Sequence, residues 1–155
     1  MPEANIIHFA GHYVVDENLP LLSGLILAKN AEKPEKENSV LTNYEIIEKK
    51  LPQTKLILLS ACQTGVEKFY EGEGSVGASR TFLAMGVPLV IASHWMVDSD
   101  ATAELMINFH RYRKTNKFSS LEALRRSQLD LLENKELRHP SFWAAFTAFG
   151  GYAEF

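Results

Sequence analysis

The chain has 155 residues, 46% of them hydrophobic and 23% charged, with a formal net charge of −3, which fits a single domain with enough apolar residues for a core. The negative balance argues against nucleic acid as a partner, because a phosphate-binding domain presents a basic face. One cysteine excludes an intrachain disulfide, and the sequence has neither a signal peptide nor the roughly 18 apolar residues needed to cross a membrane, so no membrane partner and a cytoplasmic location are expected.

In chain order, Ile6 to Ala10 is a short apolar run that predicts a buried strand, and Leu25 to Ala28 predicts a second, shorter one. Asn30 to Asn38 is polar and reads as an exposed loop. Thr42 followed by Glu45 is a capping box that opens a helix to about Lys50, stopped before Pro52. Lys55 to Ser60 and Pro88 to Ser93 predict two more buried strands. Between them a helix is expected from about Val76 to Met85, ended by Gly86. Asp98 or Ser99 caps a helix carrying Leu105, Met106, Phe109 and Tyr112. Ser119 or Ser120 caps another, with Leu121, Leu124, Gln128 and Leu131 on one stripe and an i, i+4 pair of Glu122 with Arg126. Phe142 to Phe149 reads as a final strand. There is no internal repeat. Buried strands alternating with helices imply an α/β fold with a mostly parallel central sheet, covered on its faces by helices.

In such sheets functional residues gather at the carboxyl ends of the strands. His12 follows one buried strand by two residues, and Cys62 follows another by two. If those strands are parallel neighbours, both side chains emerge at one sheet edge. An imidazole there can take the proton of a thiol and turn it into a nucleophile. The competing reading is a buried, inert Cys62, since free cysteine is among the most buried residue types.

His8-Phe9-Ala10-Gly11-His12 and Leu59-Ser60-Ala61-Cys62-Gln63-Thr64-Gly65 resemble the two signature segments of CHAT domains. Ser23 to Leu27, Ala92 to Asp98, and His139-Pro140 followed by Phe142 to Phe146 resemble later segments of the family, in the family's order. The resemblance covers nearly the whole chain and implies membership of a clan with caspases, metacaspases, paracaspases and separase. It implies a caspase-like three-layer fold, a cysteine endopeptidase working through a thioester, Cys62 as nucleophile and His12 as base. It also implies backbone N–H groups of Tyr13 and Cys62 as oxyanion donors. The family has glycine where this chain has Tyr13, and a position needing positive φ would strain tyrosine. His8 is expected to alternate inward as a structural residue. His94, His110 and His139 lack cysteine or carboxylate partners at metal-ligand spacing, so no metal is expected.

Gly72-Glu73-Gly74-Ser75-Val76-Gly77 matches the G-x-G-x-x-G pattern, but it does not follow a strand directly, and Glu71 and Glu73 would repel phosphate, so no cofactor is expected. Asp98 and Asp100, beyond Trp95, are either a helix cap and a first-turn acid or the wall of a substrate pocket. In the second case a carboxylate would bind arginine or lysine before the cleaved bond, as in the related proteases. Trp95 and Ser60 complete the substrate-binding set, and the partner is a protein or peptide substrate.

The resemblance also implies two strands and a helix before the histidine-bearing strand, so residues 1–155 are expected to be one domain, the later part of a full one. A missing N-terminal portion, a partner chain or self-association would then complete the sheet edge. The alternative function is a non-catalytic pseudoprotease that keeps the fold and binds regulatory partners.

Overall fold

A computed structural model describes residues 3–28, 39–61, 68–70 and 74–151. In chain order the elements are β1 (Ile6–Ala10), β2 (His12–Val14), a 3₁₀ turn (Pro20–Leu22), β3 (Gly24–Ile26), β4 (Val40–Thr42), α1 (Asn43–Ile47), β5 (Leu56–Ser60), β6 (Lys68–Tyr70) and β7 (Gly74–Val76). Then come α2 (Ala78–Ala84), β8 (Leu89–Ser93), α3 (Ser99–Asn116), α4 (Ser120–Glu133), α5 (Pro140–Trp143) and β9 (Phe146–Gly150). The central sheet has the order β1-β5-β8-β9. Its first three strands are parallel and β9 is antiparallel to β8. The mostly parallel α/β sheet expected from the sequence is therefore present.

Burial follows the strand alternation. Leu56, Leu58, Leu89 and Ile91 face Leu105, Phe109, Leu124 and Leu131 of α3 and α4. Ile57, Leu59, Val90 and Ala92 face Leu25, Ile46 and Phe82 on the other side. Leu56 to Leu59 are wholly buried, as befits a strand covered on both faces. The result is three layers. One is the α3–α4–α5 group and one is the central sheet. The third holds α1, α2 and the small antiparallel sheet β2-β3-β4.

Local chemistry sets the element ends. The Glu45 N–H donates to Thr42 Oγ1, and the Thr42 N–H donates to the Glu45 carboxylate at 2.9 Å, completing the expected capping box. α1 ends at Ile47 rather than near Lys50, because the Lys49 N–H closes on the Ile46 carbonyl and Leu51 precedes proline. Gly86, at φ +89°, ends α2: its N–H bonds the Leu83 carbonyl and the Val87 N–H that of Phe82, a Schellman closure.

Three expectations change, and one strand is new. Val76 belongs to a strand, β7, paired with β6, and α2 begins only at Ala78. The segment from Phe142 is split: Pro140–Trp143 is a helical turn capped by His139, and only Phe146–Gly150 is strand. Leu121 is exposed, and the buried stripe of α4 runs through Ala123, Leu124, Ser127 and Leu131. β2 follows β1 after a single glycine and leaves for a different sheet. The expected loop Asn30 to Asn38 lies outside the described residues.

Close backbone approach makes Gly24 essential to the sheet that carries His12. A Cβ there would collide with the Leu41 carbonyl and lie 2.7 Å from Thr42 Cα. A Cβ at Gly11 would meet only the tip of the Phe9 ring, at 2.9 Å. Gly24→Ala should therefore cost about 1–3 kcal/mol in urea unfolding, and Gly11→Ala less, because a ring can move where backbone cannot. Equal losses would contradict this reading.

Candidate functional site

The pairing of β1 with β5 places Ala10 opposite Ser60. The Gly11 N–H still donates to the Ser60 carbonyl, at 3.3 Å, one residue beyond the strand. The end of β5 is held from its other side too, since the buried Ser93 hydroxyl of β8 donates to the Ala61 carbonyl at 2.6 Å. Beside these strand ends lies an open cleft of about 370 Å³. His8, His12, Ser60 and Ala61 form one wall, and Val97, Thr102 and Met106 from the approach to α3 and its first half form the other. His12 is exposed at the head of β2. Cys62 lies outside the described residues; its covalent neighbour Ala61 is in the cleft wall.

His8 is not turned inward as expected. It opens on to the cleft, with Nε2 2.8 Å from Ser60 Oγ and Nδ1 3.0 Å from His110 Nε2. The two imidazole rings lie 5.2 Å apart, and the edge of His110 is braced against Phe109. Both histidines have their pKa lowered below the ordinary value. For His8 the main cause is desolvation and the lesser one the neighbouring His110; for His110 it is desolvation, then Arg113. The ring nitrogens of His8 face Ser60 and His110 rather than water, which explains the desolvation of an otherwise exposed side chain.

A CHAT domain model matches residues 1–151. The chain belongs to the CHAT domain family. It is also similar to tetratricopeptide repeat protein 28 of Homo sapiens, 25% identical over 150 residues, which are 96% of this chain and 6% of that protein. The chain thus spans a small fraction of that relative's length.

This CHAT domain accommodates Tyr13 without strain. Among the described non-glycine residues only Lys117 has positive φ, and Tyr13 is ordinary extended backbone opposite Leu25. The side chain turns away from the cleft and joins the cluster around Leu25 and Ile46. Its hydroxyl accepts a hydrogen bond from Asn43 Nδ2 at 3.0 Å. Burial raises the phenol pKa, against the opposing hydrogen bonds to Asn43 and Ser23.

Asp98 is the N-cap of α3, its carboxylate accepting from the N–H groups of Asp100 and Ala101 at 3.0 and 2.9 Å. Asp100 is exposed in the first turn. Neither is among the described residues that line the cleft, whereas Ser99 between them is. Trp95 Nε1 donates to the Ser141 carbonyl at 3.2 Å, tying the end of β8 to α5. His139 caps α5, and His94 rests against Phe149. Among the described residues no three His, Cys, Asp or Glu side chains are grouped to hold a metal. Gly72 and Glu73 lie outside the described residues. The contributions of His110, Thr102 and Met106 were missed because they depend on how α3 crosses the sheet; the helical spacing marked Met106 only as core.

A histidine whose folded pKa is lowered resists protonation in the native state. Below about pH 6.5 the unfolded chain binds more protons, so stability falls as pH drops through the lowered values and then levels off. Urea midpoints between pH 7.5 and 5 should show this fall, and His8→Gln should reduce it. NMR titration should give both rings midpoints below 6.5; midpoints above it would contradict the geometry.

Proposed function

We propose that this CHAT domain is a cysteine endopeptidase in which Cys62 is the nucleophile and His12 the base. The observation that carries the reading is the placement of His12 and Ala61, the residue before Cys62, in one open cleft at the carboxyl ends of two parallel strands. His12 takes the thiol proton as the sulfur attacks the peptide carbonyl carbon. The tetrahedral intermediate collapses to a thioester, and the amine leaves with the proton from His12. Water, deprotonated by the same imidazole, then releases the acid and restores the thiol. The backbone N–H groups of Tyr13 and Cys62 are the proposed oxyanion donors. The unstrained extended backbone at Tyr13 leaves that role compatible with tyrosine.

We further propose that cleavage follows arginine or lysine, with Asp98 or Asp100 as the acid and Ser60 and Trp95 in the surrounding wall. A charge-assisted hydrogen bond to a guanidinium is worth about 1.5–3 kcal/mol, or roughly 10- to 100-fold in kcat/KM. Because Asp98 also caps α3, alanine there would lose stability and specificity together, whereas asparagine still caps and removes only the charge. Cytoplasmic location and independence from any cofactor belong to the same proposal.

A peptide-library assay on the full-length protein tests the reading. Cys62→Ala should remove cleavage, and His12→Ala should lower kcat by about 10²–10⁴-fold. Asp98→Asn or Asp100→Asn should erase a basic preference with little change in fold. Cleavage that survives Cys62→Ala, or a preference for aspartate, would count against it. A folded chain with no turnover under any condition would favour the non-catalytic interaction module instead.

Self-association is also proposed. β1 is an edge of the described sheet, and an apolar groove of about 570 Å³ runs beneath it, lined by Ile7, Phe9, Leu41 and Ile57 among others. Edge strands with unpaired backbone groups recruit further strands. Sedimentation of the isolated chain should give a mass above the 17.4 kDa of one copy; a monomer across the micromolar range would exclude it.

A further inference from the structure

The cleft contains a second constellation, of which the cysteine reading uses only Ser60, and that only as part of the wall. Ser60 Oγ is 2.8 Å from His8 Nε2, and the other nitrogen of His8 is 3.0 Å from His110 Nε2. A hydroxyl, an imidazole within hydrogen-bond reach, and a third group fixing the far nitrogen of that imidazole form the arrangement that activates a serine. The three residues come from β5, β1 and α3, so the tertiary fold, not local sequence, assembles them. In one tautomer Ser60 donates to His8 Nε2 while His8 Nδ1–H donates to His110 Nε2. That tautomer leaves His8 poised to take the serine proton.

The surroundings point to a ligand. Thr102 lines the same cleft, is 9% exposed, and its Oγ1 is buried without a hydrogen-bond partner among the described residues. An unsatisfied buried hydroxyl is costly unless something else satisfies it. Ala10, Ala61, Val97 and Met106 make the cleft largely apolar, and none of its described lining residues is Asp, Glu, Lys or Arg. A volume near 370 Å³ suits a small ligand.

We propose that Ser60 is a nucleophile in its own right, with His8 as its general base and His110 as the residue positioning His8, and that it transfers small apolar acyl groups from esters to water. Ser60 Oγ attacks the ester carbonyl carbon while its proton passes to His8 Nε2. The carbonyl electron pair moves to oxygen, then returns as the bond to the alcohol oxygen breaks, and the alcohol leaves with the proton from His8. Water gives a proton to His8 and attacks the acyl-serine; the acid departs and Ser60 recovers its proton. A neutral imidazole supports the transient imidazolium less than a carboxylate would, which directs the site to esters rather than amides. The activity does not rest on Cys62.

The test uses the Cys62→Ala protein, so that no thiol contributes. A short-chain alkyl fluorophosphonate should phosphonylate Ser60 with loss of fluoride, located by peptide mass mapping. Labelling should fall at least tenfold in His8→Ala and in His8→Gln, the latter keeping side-chain hydrogen bonding without a base. His110→Ala should slow it several-fold, and His110→Gln, which can still accept from His8 Nδ1, should restore most of the rate. Hydrolysis of p-nitrophenyl butyrate should follow the same order. Absence of label on Ser60, or labelling unchanged in both His8 variants, would overturn the proposal. Equal rates for His110→Ala and His110→Gln would overturn the role given to His110.

Discussion

The parallel pairing of β1 with β5 is the constraint on which the rest depends. Its register, from Ile6 opposite Leu56 to Ala10 opposite Ser60, brings two segments fifty residues apart to the same level at one sheet edge. β5 cannot shift within this arrangement. Four consecutive residues, Leu56 to Leu59, are fully buried, and a one-residue slip would exchange the side chains of its two faces. Burial of each such leucine or isoleucine is worth roughly 1.5–3 kcal/mol, so the register is strongly held. The cleft residues inherit this rigidity because they sit at the ends of the strands rather than on long loops.

Polar tethers then define the rim. The Gly11 N–H and the Ser93 hydroxyl hold the end of β5 from both neighbouring strands. On the opposite wall Asp98 caps α3 and fixes where that helix begins, while Leu105 and Phe109 anchor its buried face against the sheet. His12 is placed differently. It belongs to β2, which departs after Gly11 into the small sheet with β3 and β4. Tyr13, the next residue, roots that strand in the opposite layer through Leu25 and Asn43. The residue that departs from the family's glycine thus helps to hold the proposed base.

Much of this was legible locally. Ile6–Ala10 and the strand ending at Ser60 stand out because buried parallel strands are continuous apolar runs. The capping box at Thr42 and Glu45, the caps at Asp98 and Ser119, and the Glu122–Arg126 pair at 2.6 Å need only neighbouring residues. The rule that function gathers at strand ends pointed to His12, which lines the cleft, and to Cys62, which lies outside the described residues. What could not be read depends on distance in sequence. β2 is three residues long and exists only through its pairing with β3. The contact of His8 with His110 spans 102 positions, and no periodicity announces it. The helical turn at Pro140 had a signal, a proline after a capping residue, but the aromatic run that follows it outweighed that signal. Family resemblance, not periodicity, supplied the pairing of His12 with Cys62 as base and nucleophile.

The central claim is that a peptide occupies the cleft between the ends of β1 and β5 and the start of α3, with its reacting carbon at Cys62. The direct test is a crystal structure of the protein after reaction with a peptidyl chloromethyl ketone ending in arginine. The account predicts a thioether at Cys62, the peptide lying against Ser60 and Val97, and the His12 imidazole within hydrogen-bond reach of the adduct. A peptide bound elsewhere, or His12 turned away from a modified Cys62, would contradict it.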